Sequence, residues 1–228
     1  MRPDLRQQRD YLFQTYFGIK GTELDRFISR GYRDMNRTFG GIGKLNANTQ
    51  KNSGIRTTVL NDAKATMKGC FDGLREKYPP KNYASLIREF DSWHSASCRA
   101  LIGYYDTTLR RLKVARVKLT YGQAQKWLNM TMKYCWVCNA PDLLWLEPWF
   151  PSAHVPVDEV ILLAVEKEGI VLERPCEKWS KWKSEKEYHA FQMKLRNAAT
   201  ARKESPLEME LRWWAQYRAQ VTGGAKGE

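Results

Sequence analysis

Apolar residues recur three and four positions apart through most of this chain, and this spacing limits the fold more than any other feature. Because an α-helix turns once in about 3.6 residues, such positions share one helical face. In residues 22–38 the shared face consists of Leu24, Phe27, Ile28, Tyr32 and Met35. Only residues 170–174, with the sequence IVLER, resemble a strand, and one strand cannot form a sheet. The sequence therefore predicts an all-α fold.

Local signals place the ends of the predicted helices. Capping boxes, in which a hydroxyl and a carboxylate satisfy the first free N–H groups of a helix, stand at 184–187 and 205–208. Gly and Asn residues mark 39–54 as a loop, and 139–156 is an irregular stretch that contains prolines. Gly103 could break one long helix into two. The remaining helices are predicted over 5–17, 22–38, 56–76, 82–112, 121–137 and 157–169.

The chain length suits a single helical domain over residues 1–228. A division into two lobes, 1–115 and 116–222, is compatible with the same length if the lobes share one core and flank a cleft. The tail at 223–228, which contains Gly and Lys, is expected to fray.

The chain carries 38 lysine and arginine residues against 25 acidic ones, for a net charge of +13. Such an excess favours polyanions, because phosphates are neutralised and their counterions are released. The sequence has no run of about 18 apolar residues that could span a bilayer, and no signal peptide. We therefore expect a soluble, cytoplasmic protein that joins the nucleoid through DNA, with no membrane contact and no obligate protein partner.

Five cysteines form no disulfide framework, and we expect them to be reduced and buried. Cys135 and Cys138 form a CxxC pair at an apolar helix end, but the sequence has no second pair at zinc-binding spacing. Core packing is the favoured interpretation of this pair. The sequence therefore predicts no metal site and no cofactor.

Lys126 is the first candidate for chemistry. It lies near the start of a predicted helix, beside Trp127 and Leu128. Removal from water disfavours the charged form of an amine, and a neutral amine can act as a nucleophile. Lys133 lies two helical turns further along the same face and is a second cation or a rival nucleophile. The alternative is that both lysines extend to solvent.

Asp158 is the second candidate. It follows the sequence HVPV and precedes an apolar helix, which is the position of an N-cap. A carboxylate fixed at a helix N-terminus can also stabilise a developing positive charge. The sequence is compatible with both roles.

The segment GQAQK at 122–126, followed by a helix, and VPVD at 155–158, opening the next, resemble the lysine and aspartate signature of the helix-hairpin-helix DNA glycosylases. The similarity is greatest to the 8-oxoguanine glycosylase branch, including its archaeal type, and covers residues 120–165. Lys126 and Asp158 match the lysine and the aspartate of that family. The glycine-rich hairpin turn of the family is missing, and LTYGQAQ stands in its place.

This resemblance implies a glycosylase-like helical bundle that excises a damaged or modified base from double-stranded DNA. The target nucleotide would be flipped into a pocket, where Lys126 attacks C1′ of the sugar and Asp158 stabilises the cationic sugar. A lysine nucleophile forms a Schiff base, so AP-lyase activity can follow. The implied base is 8-oxoguanine. A hypermodified base of phage DNA is the alternative, and the role would then be antiviral defence in place of DNA repair.

Further residues are expected around this pair. Trp149 and Phe150 are predicted to stack on the flipped base, with His154 and Lys133 as additional substrate contacts. The DNA backbone is expected to meet a basic segment before the lysine helix and two glutamines at its start, namely Arg110, Arg111, Lys113, Arg116, Lys118, Gln123 and Gln125.

Two other functions are compatible with the sequence. Arg88 and His94 fit the arginine–histidine motif of all-helical ribonucleases of the HEPN type, although such pairs arise often by chance. The third interpretation is a non-catalytic, basic DNA-binding protein.

Overall fold

The computed structural model describes most of the chain, in five ranges and a few single positions. The predicted helix over 5–17 lies outside the described residues except at two single positions, and so do 113–117 and 224–228. The five ranges are 22–39, 50–77, 81–112, 118–171 and 178–223.

The described residues form α-helices joined by short connections, and none of them lies in a strand. The all-α prediction is therefore confirmed for these ranges. Two segments of 3-10 helix occur at Pro141–Ser152, which is kinked at Leu143, and at Trp179–Lys181. The α-helices are α1 Glu23–Asn36, α2 Gln50–Arg75, α3 Tyr83–Arg111, α4 Tyr121–Cys138, α5 Glu159–Lys167, α6 Glu185–Ala201 and α7 Pro206–Gly223. None of these helices has both the length and the apolarity that a bilayer span requires.

Two predicted boundaries need correction. The predicted loop extended to residue 54, but α2 already begins at Gln50, and α3 continues through Gly103 without a break. The helix predicted over 157–169 is found as α5, which ends two residues before Gly169, where φ is 66°, a conformation that glycine adopts without strain.

Capping side chains explain several helix starts. The capping box at Ser205 is complete, since its Oγ accepts from the Glu208 N–H and the Glu208 carboxylate accepts from the Ser205 N–H. At Ser184 only the hydroxyl contact with Glu187 N is formed. A further capping box, which was not predicted, joins Thr120 to Gln123 at the start of α4.

Helix α4 runs through the centre of the molecule, and α1 packs along it. The two helices approach closely at Gly31, where an added Cβ would lie 2.8 Å from Thr131 Oγ1 and 2.9 Å from Trp127 O. The Trp127 indole also donates to Ile28 O at 2.8 Å. Buried apolar residues from Leu24 to Trp213 form one cluster, so residues on both sides of the predicted lobe boundary share a core.

Gly31→Ala is expected to destabilise the protein by about 1–3 kcal/mol, because the methyl group overpacks the contact between α1 and α4. Gly69→Ala on α2 is the matched control, since an added Cβ there meets nothing within 4 Å. The control should be neutral or stabilising by up to about 1 kcal/mol, through the higher helix propensity of alanine. Urea unfolding measures both. Equal effects of the two substitutions would contradict the close packing at Gly31.

Candidate active site

Lys126 and Asp158, which are 32 positions apart in the chain, meet in the structure. Lys126 Nζ lies 2.7 Å from Asp158 Oδ2, and it also donates to Pro156 O at 3.2 Å. The Lys126 side chain is 5% exposed and that of Asp158 is 14% exposed. The pair is thus an amine and a carboxylate in direct contact, almost removed from solvent.

The two carboxylate oxygens of Asp158 have different partners. Asp158 is the N-cap of α5, and its Oδ1 accepts from Ile161 N at 3.2 Å. Its Oδ2 is the atom that contacts Lys126. Asp158 can therefore cap the helix and interact with a positive charge at the same time. The cap holds the carboxylate through Oδ1, and Oδ2 stays directed at the amine.

A close backbone contact anchors the start of α4. An added Cβ at Gly122 would lie 1.9 Å from Trp179 O, so only glycine fits here. Gly122 N donates to Trp182 O at 2.8 Å, and Thr120 Oγ1 donates to Ser180 O at 2.7 Å. Gly122 and Thr120 stand where the family has its glycine-rich hairpin turn. Their N–H and hydroxyl groups are used in hydrogen bonds within the protein.

This contact brings an aromatic ring over the lysine. The Trp179 ring, which is partly buried, lies with its centroid 6.0 Å from Lys126 Nζ, within the range of a cation–π interaction. Trp179 therefore forms one wall around the amine.

Gln123 and Gln125 face the protein interior, in place of the DNA contact that we predicted for them. Gln123 completes the capping box with Thr120, and its Nε2 donates to Thr38 O at 2.9 Å. Gln125 is fully buried and donates to Gly122 O at 2.9 Å. Their amides have backbone partners, so both have structural roles in this conformation.

A second buried ion pair lies two turns along α4. Lys133 Nζ is 2.7 Å from Glu210 Oε1 and 5.4 Å from the centroid of the Trp214 ring. Burial raises the pKa of Glu210, against the opposing effects of Lys133 and, more weakly, Lys126. The two pairs are thus close enough to interact electrostatically. Glu210 was missed in the sequence, where its only signal is a charge on the apolar face of α7.

The predicted aromatic contacts do not meet the Lys126–Asp158 pair. Trp149 is 1% exposed and belongs to the core, which corrects its assignment to a substrate pocket. Phe150 lines a cavity of about 400 Å³ together with other side chains, and neither Lys126 nor Asp158 is among them. The other lining residues are Trp136, Asn139, Glu147, Pro151, Ser205 and Glu208.

His154 belongs to a buried network and is not presented to a substrate, which corrects the prediction. Its Nε2 lies 2.8 Å from Asp91 Oδ1, and its Nδ1 lies 3.2 Å from the Tyr188 hydroxyl. Arg196 donates to both oxygens of Asp91, at 2.6 and 2.9 Å. Burial alone would raise the pKa of Asp91, but the hydrogen bonds from His154 and Arg196 together hold it well below its usual range.

Within the described ranges, Asp91, His154 and His189 have ligand atoms that could surround a metal ion, since these atoms lie within 4.8 Å of one another. The carboxylate, however, is already neutralised by the Arg196 guanidinium. A divalent cation would lie beside this positive charge and compete with it for the same oxygens. The arrangement therefore fits a hydrogen-bonded network better than a metal site.

The structure separates the two residues of the ribonuclease interpretation. His94 is fully buried and contacts Asn129 Oδ1 at 3.0 Å. Arg88 is exposed on α3 and donates to the nearby Ser85 hydroxyl. The two side chains therefore do not form a joint site within this chain.

The predicted basic segment is described only in part. Arg110 and Arg111 are exposed at the end of α3, and Lys118 is exposed just before α4. Arg110 also forms an ion pair with Asp106. Lys113 and Arg116 lie outside the described residues. The described members thus offer cationic side chains to solvent on both sides of 113–117.

No protein-family model, no curated protein sequence and no solved structure matches this chain.

The stability of the fold is expected to fall as the pH is lowered from 7.5 to 5. Burial lowers the pKa of all three histidines, that of His154 to about 3 and that of His94 well below its ordinary value of 6.5, while His189 shifts less. Below about pH 6.5 the unfolded chain therefore takes up protons that the folded protein excludes.

The expected loss is up to about 2 kcal/mol for each fully buried histidine between these two pH values. Urea unfolding at pH 7.5, 6 and 5 measures it. His94→Gln should reduce the pH slope by up to one proton. A free energy of unfolding that stays constant over this range would show that the histidines are not held neutral.

Proposed function

We propose that the protein is a DNA glycosylase that removes a modified base with Lys126 as nucleophile and Asp158 as its acidic partner. The observation that carries the proposal is the 2.7 Å contact between Lys126 Nζ and Asp158 Oδ2. The resemblance to helix-hairpin-helix glycosylases implies that these two residues act together. Residues 32 positions apart could equally have lain on opposite sides of the molecule, so their contact supports this implication. The glycosylase-like bundle and its cleft are part of the same proposal.

The burial of the pair also supports a functional role. Transfer of two charges out of water carries a desolvation cost that their attraction often fails to offset, so a buried ion pair is a weak stabiliser. Asp158 could cap α5 without Lys126, and an apolar residue could fill the space of Lys126. An amine kept against a carboxylate is useful where a proton must move between them.

In the proposed reaction a nucleotide is flipped from the duplex toward Trp179 and Lys126. Asp158 Oδ2 accepts a proton from the ammonium group, and the neutral amine attacks C1′ of the sugar. The new bond joins nitrogen to C1′ while the bond from C1′ to the base breaks, and the base leaves with that electron pair and takes up the proton from Asp158. The nitrogen then gives one of its protons to the ring oxygen as the bond from C1′ to that oxygen breaks. This opens the sugar ring and gives a protonated Schiff base, from which β-elimination can cleave the strand.

Asp158 has a second task in this scheme. Asp158 becomes a carboxylate again once it has given its proton to the leaving base, and it then stabilises the positive charge on the sugar without reorganising. The hydrogen bond from Ile161 N holds the carboxylate in place. The other oxygen, Oδ2, is the one that interacts first with the amine and then with the sugar.

Lys133, Glu210 and Trp214 are proposed to read the base. Glu210 Oε2 is held only by the Lys133 ammonium group, 2.5 Å away, and Trp214 Nε1 has no hydrogen-bond acceptor within the described part of the chain. A base edge offers both kinds of group. The substrate is then a base such as 8-oxoguanine or a hypermodified base of phage DNA, in a duplex held by the excess of positive charge.

The proposal predicts that borohydride traps the protein covalently on oxidised DNA or on hypermodified phage DNA. Lys126→Ala should abolish trapping, because the attacking amine is lost. Asp158→Asn should slow base release by at least about 100-fold, the scale of a lost acid–base group. Asparagine is as good an N-cap as aspartate, so this change removes the charge and keeps the cap. Mass spectrometry of the released bases identifies the substrate.

Lys167→Ala is the matched control, since this lysine is exposed in the last turn of α5. It should trap at the wild-type rate. Trapping that survives in Lys126→Ala, or a wild-type protein that is trapped on neither kind of DNA, would refute the proposed function.

A further inference from the structure

The chain leading to Asp158 crosses the core without being helical. Residues 153–157 connect the 3-10 segment to α5, and all five are buried. A buried backbone needs a partner for each N–H and C=O group, and a helix or sheet normally supplies them. In this segment, named here the core-crossing segment, side chains supply them instead from Val155 onward.

Gln192 of α6 pairs with Val155. Its Oε1 accepts from Val155 N at 3.0 Å, and its Nε2 donates to Val155 O at 2.8 Å. A primary amide offers one acceptor and two donors on one planar group. Gln192 therefore satisfies both backbone groups of one residue, as a neighbouring strand would. Its second donor bond reaches the Tyr188 hydroxyl at 3.0 Å.

Gln125 of α4 pairs with Val157 in the same manner. Its Nε2 donates to Val157 O at 3.2 Å, and its Oε1 accepts from Val157 N at 3.4 Å. Pro156 lies between the two paired residues and has no N–H, so only its carbonyl needs a partner. Lys126 supplies that partner. Every backbone hydrogen-bonding group from Val155 to Val157 is thereby held by a side chain of α4 or α6.

The two glutamines are also joined to each other. Asn129 Nδ2 donates to Gln125 Oε1 at 2.9 Å and to the Tyr188 hydroxyl at 2.8 Å. Tyr188 contacts Gln192 in turn. The amide groups thus form one connected and fully buried network, in which a displaced member leaves a partner unsatisfied.

We propose that Gln192 and Gln125 are positioning residues, which hold the core-crossing segment so that Asp158 meets Lys126. Gln192 has no hydrogen bond or ion pair with either member of the pair and acts through Val155 and the three residues that follow. The inference rests on the proposed function. Reaction rates are sensitive to such placement, since an error of about 1 Å can lower a rate about 100-fold.

The test compares Gln192→Met with the wild-type protein. Methionine keeps the length and bulk of the side chain but loses both hydrogen bonds to Val155. We expect single-turnover base release at saturating DNA to fall about 10- to 100-fold. The dissociation constant for the same DNA should change less than about twofold, because the cationic surface is unaltered.

Two further variants keep the test decisive. Leu195→Ala, one turn away on α6, also removes buried contacts but leaves every hydrogen bond to the core-crossing segment in place, so its rate should stay near that of the wild type. Gln192→Glu keeps an acceptor for Val155 N but places a carboxylate oxygen against Val155 O, which repels it, so its rate should fall at least as far as that of Gln192→Met. Equal losses in Leu195→Ala and Gln192→Met, or no loss in Gln192→Met, would overturn the positioning role.

A measurement without DNA separates this inference from the proposed function. The acetylation rate of Lys126 by acetic anhydride, read by peptide mass spectrometry, reports how firmly Asp158 holds the amine. It should rise at least about threefold in Gln192→Met, as in Asp158→Asn, and stay unchanged in Leu195→Ala. If the wild type releases no base but this pattern appears, the proposed function fails and the positioning role stands. An unchanged rate in Gln192→Met overturns the positioning role.

Discussion

A non-helical chain segment in a helical core has backbone groups that no helix can satisfy, and the arrangement around residues 153–157 follows from this constraint. Side-chain amides of α4 and α6 replace the missing backbone partners, which fixes where the segment passes. The lysine amine takes the remaining carbonyl, that of Pro156, and the carboxylate at the end of the segment. The candidate active site is therefore a product of the same hydrogen bonding that lets the segment cross the core.

Buried charges in this protein are neutralised in pairs, and the pairs differ in what they offer. Asp91 is shared between Arg196 and His154, with its oxygens occupied, so its role is to tie α3 to α6. Lys126 and Asp158 each keep an interaction that can be exchanged, because the amine contacts one carboxylate oxygen and one carbonyl. An amine with one charged partner, such as Lys126, can transfer its proton by breaking one strong contact. A carboxylate in a bidentate pair, such as Asp91 with Arg196, would have to break two, at a greater cost in free energy.

The sequence predicted the helices well, because their apolar faces and caps are local signals. The face of α1 and the capping box at Ser205 needed no knowledge of the rest of the chain. Lys126 and Asp158 were brought together by a family resemblance and not by their spacing. The inward orientation of Gln125 and the roles of Gln192 and Glu210 were not predictable from local pattern. Polar residue types are usually exposed, and their partners here lie 32 to 77 positions away.

The double use of the Asp158 carboxylate has an evolutionary consequence. One oxygen caps the N-terminus of α5 and the other contacts the Lys126 amine, so a related chain without catalytic activity would still be under selection to keep an N-cap at this position. Retention of an aspartate or asparagine here is thus uninformative about activity. Lys126 satisfies the Pro156 carbonyl but caps no helix, so its presence or loss in a lineage is the more informative of the two.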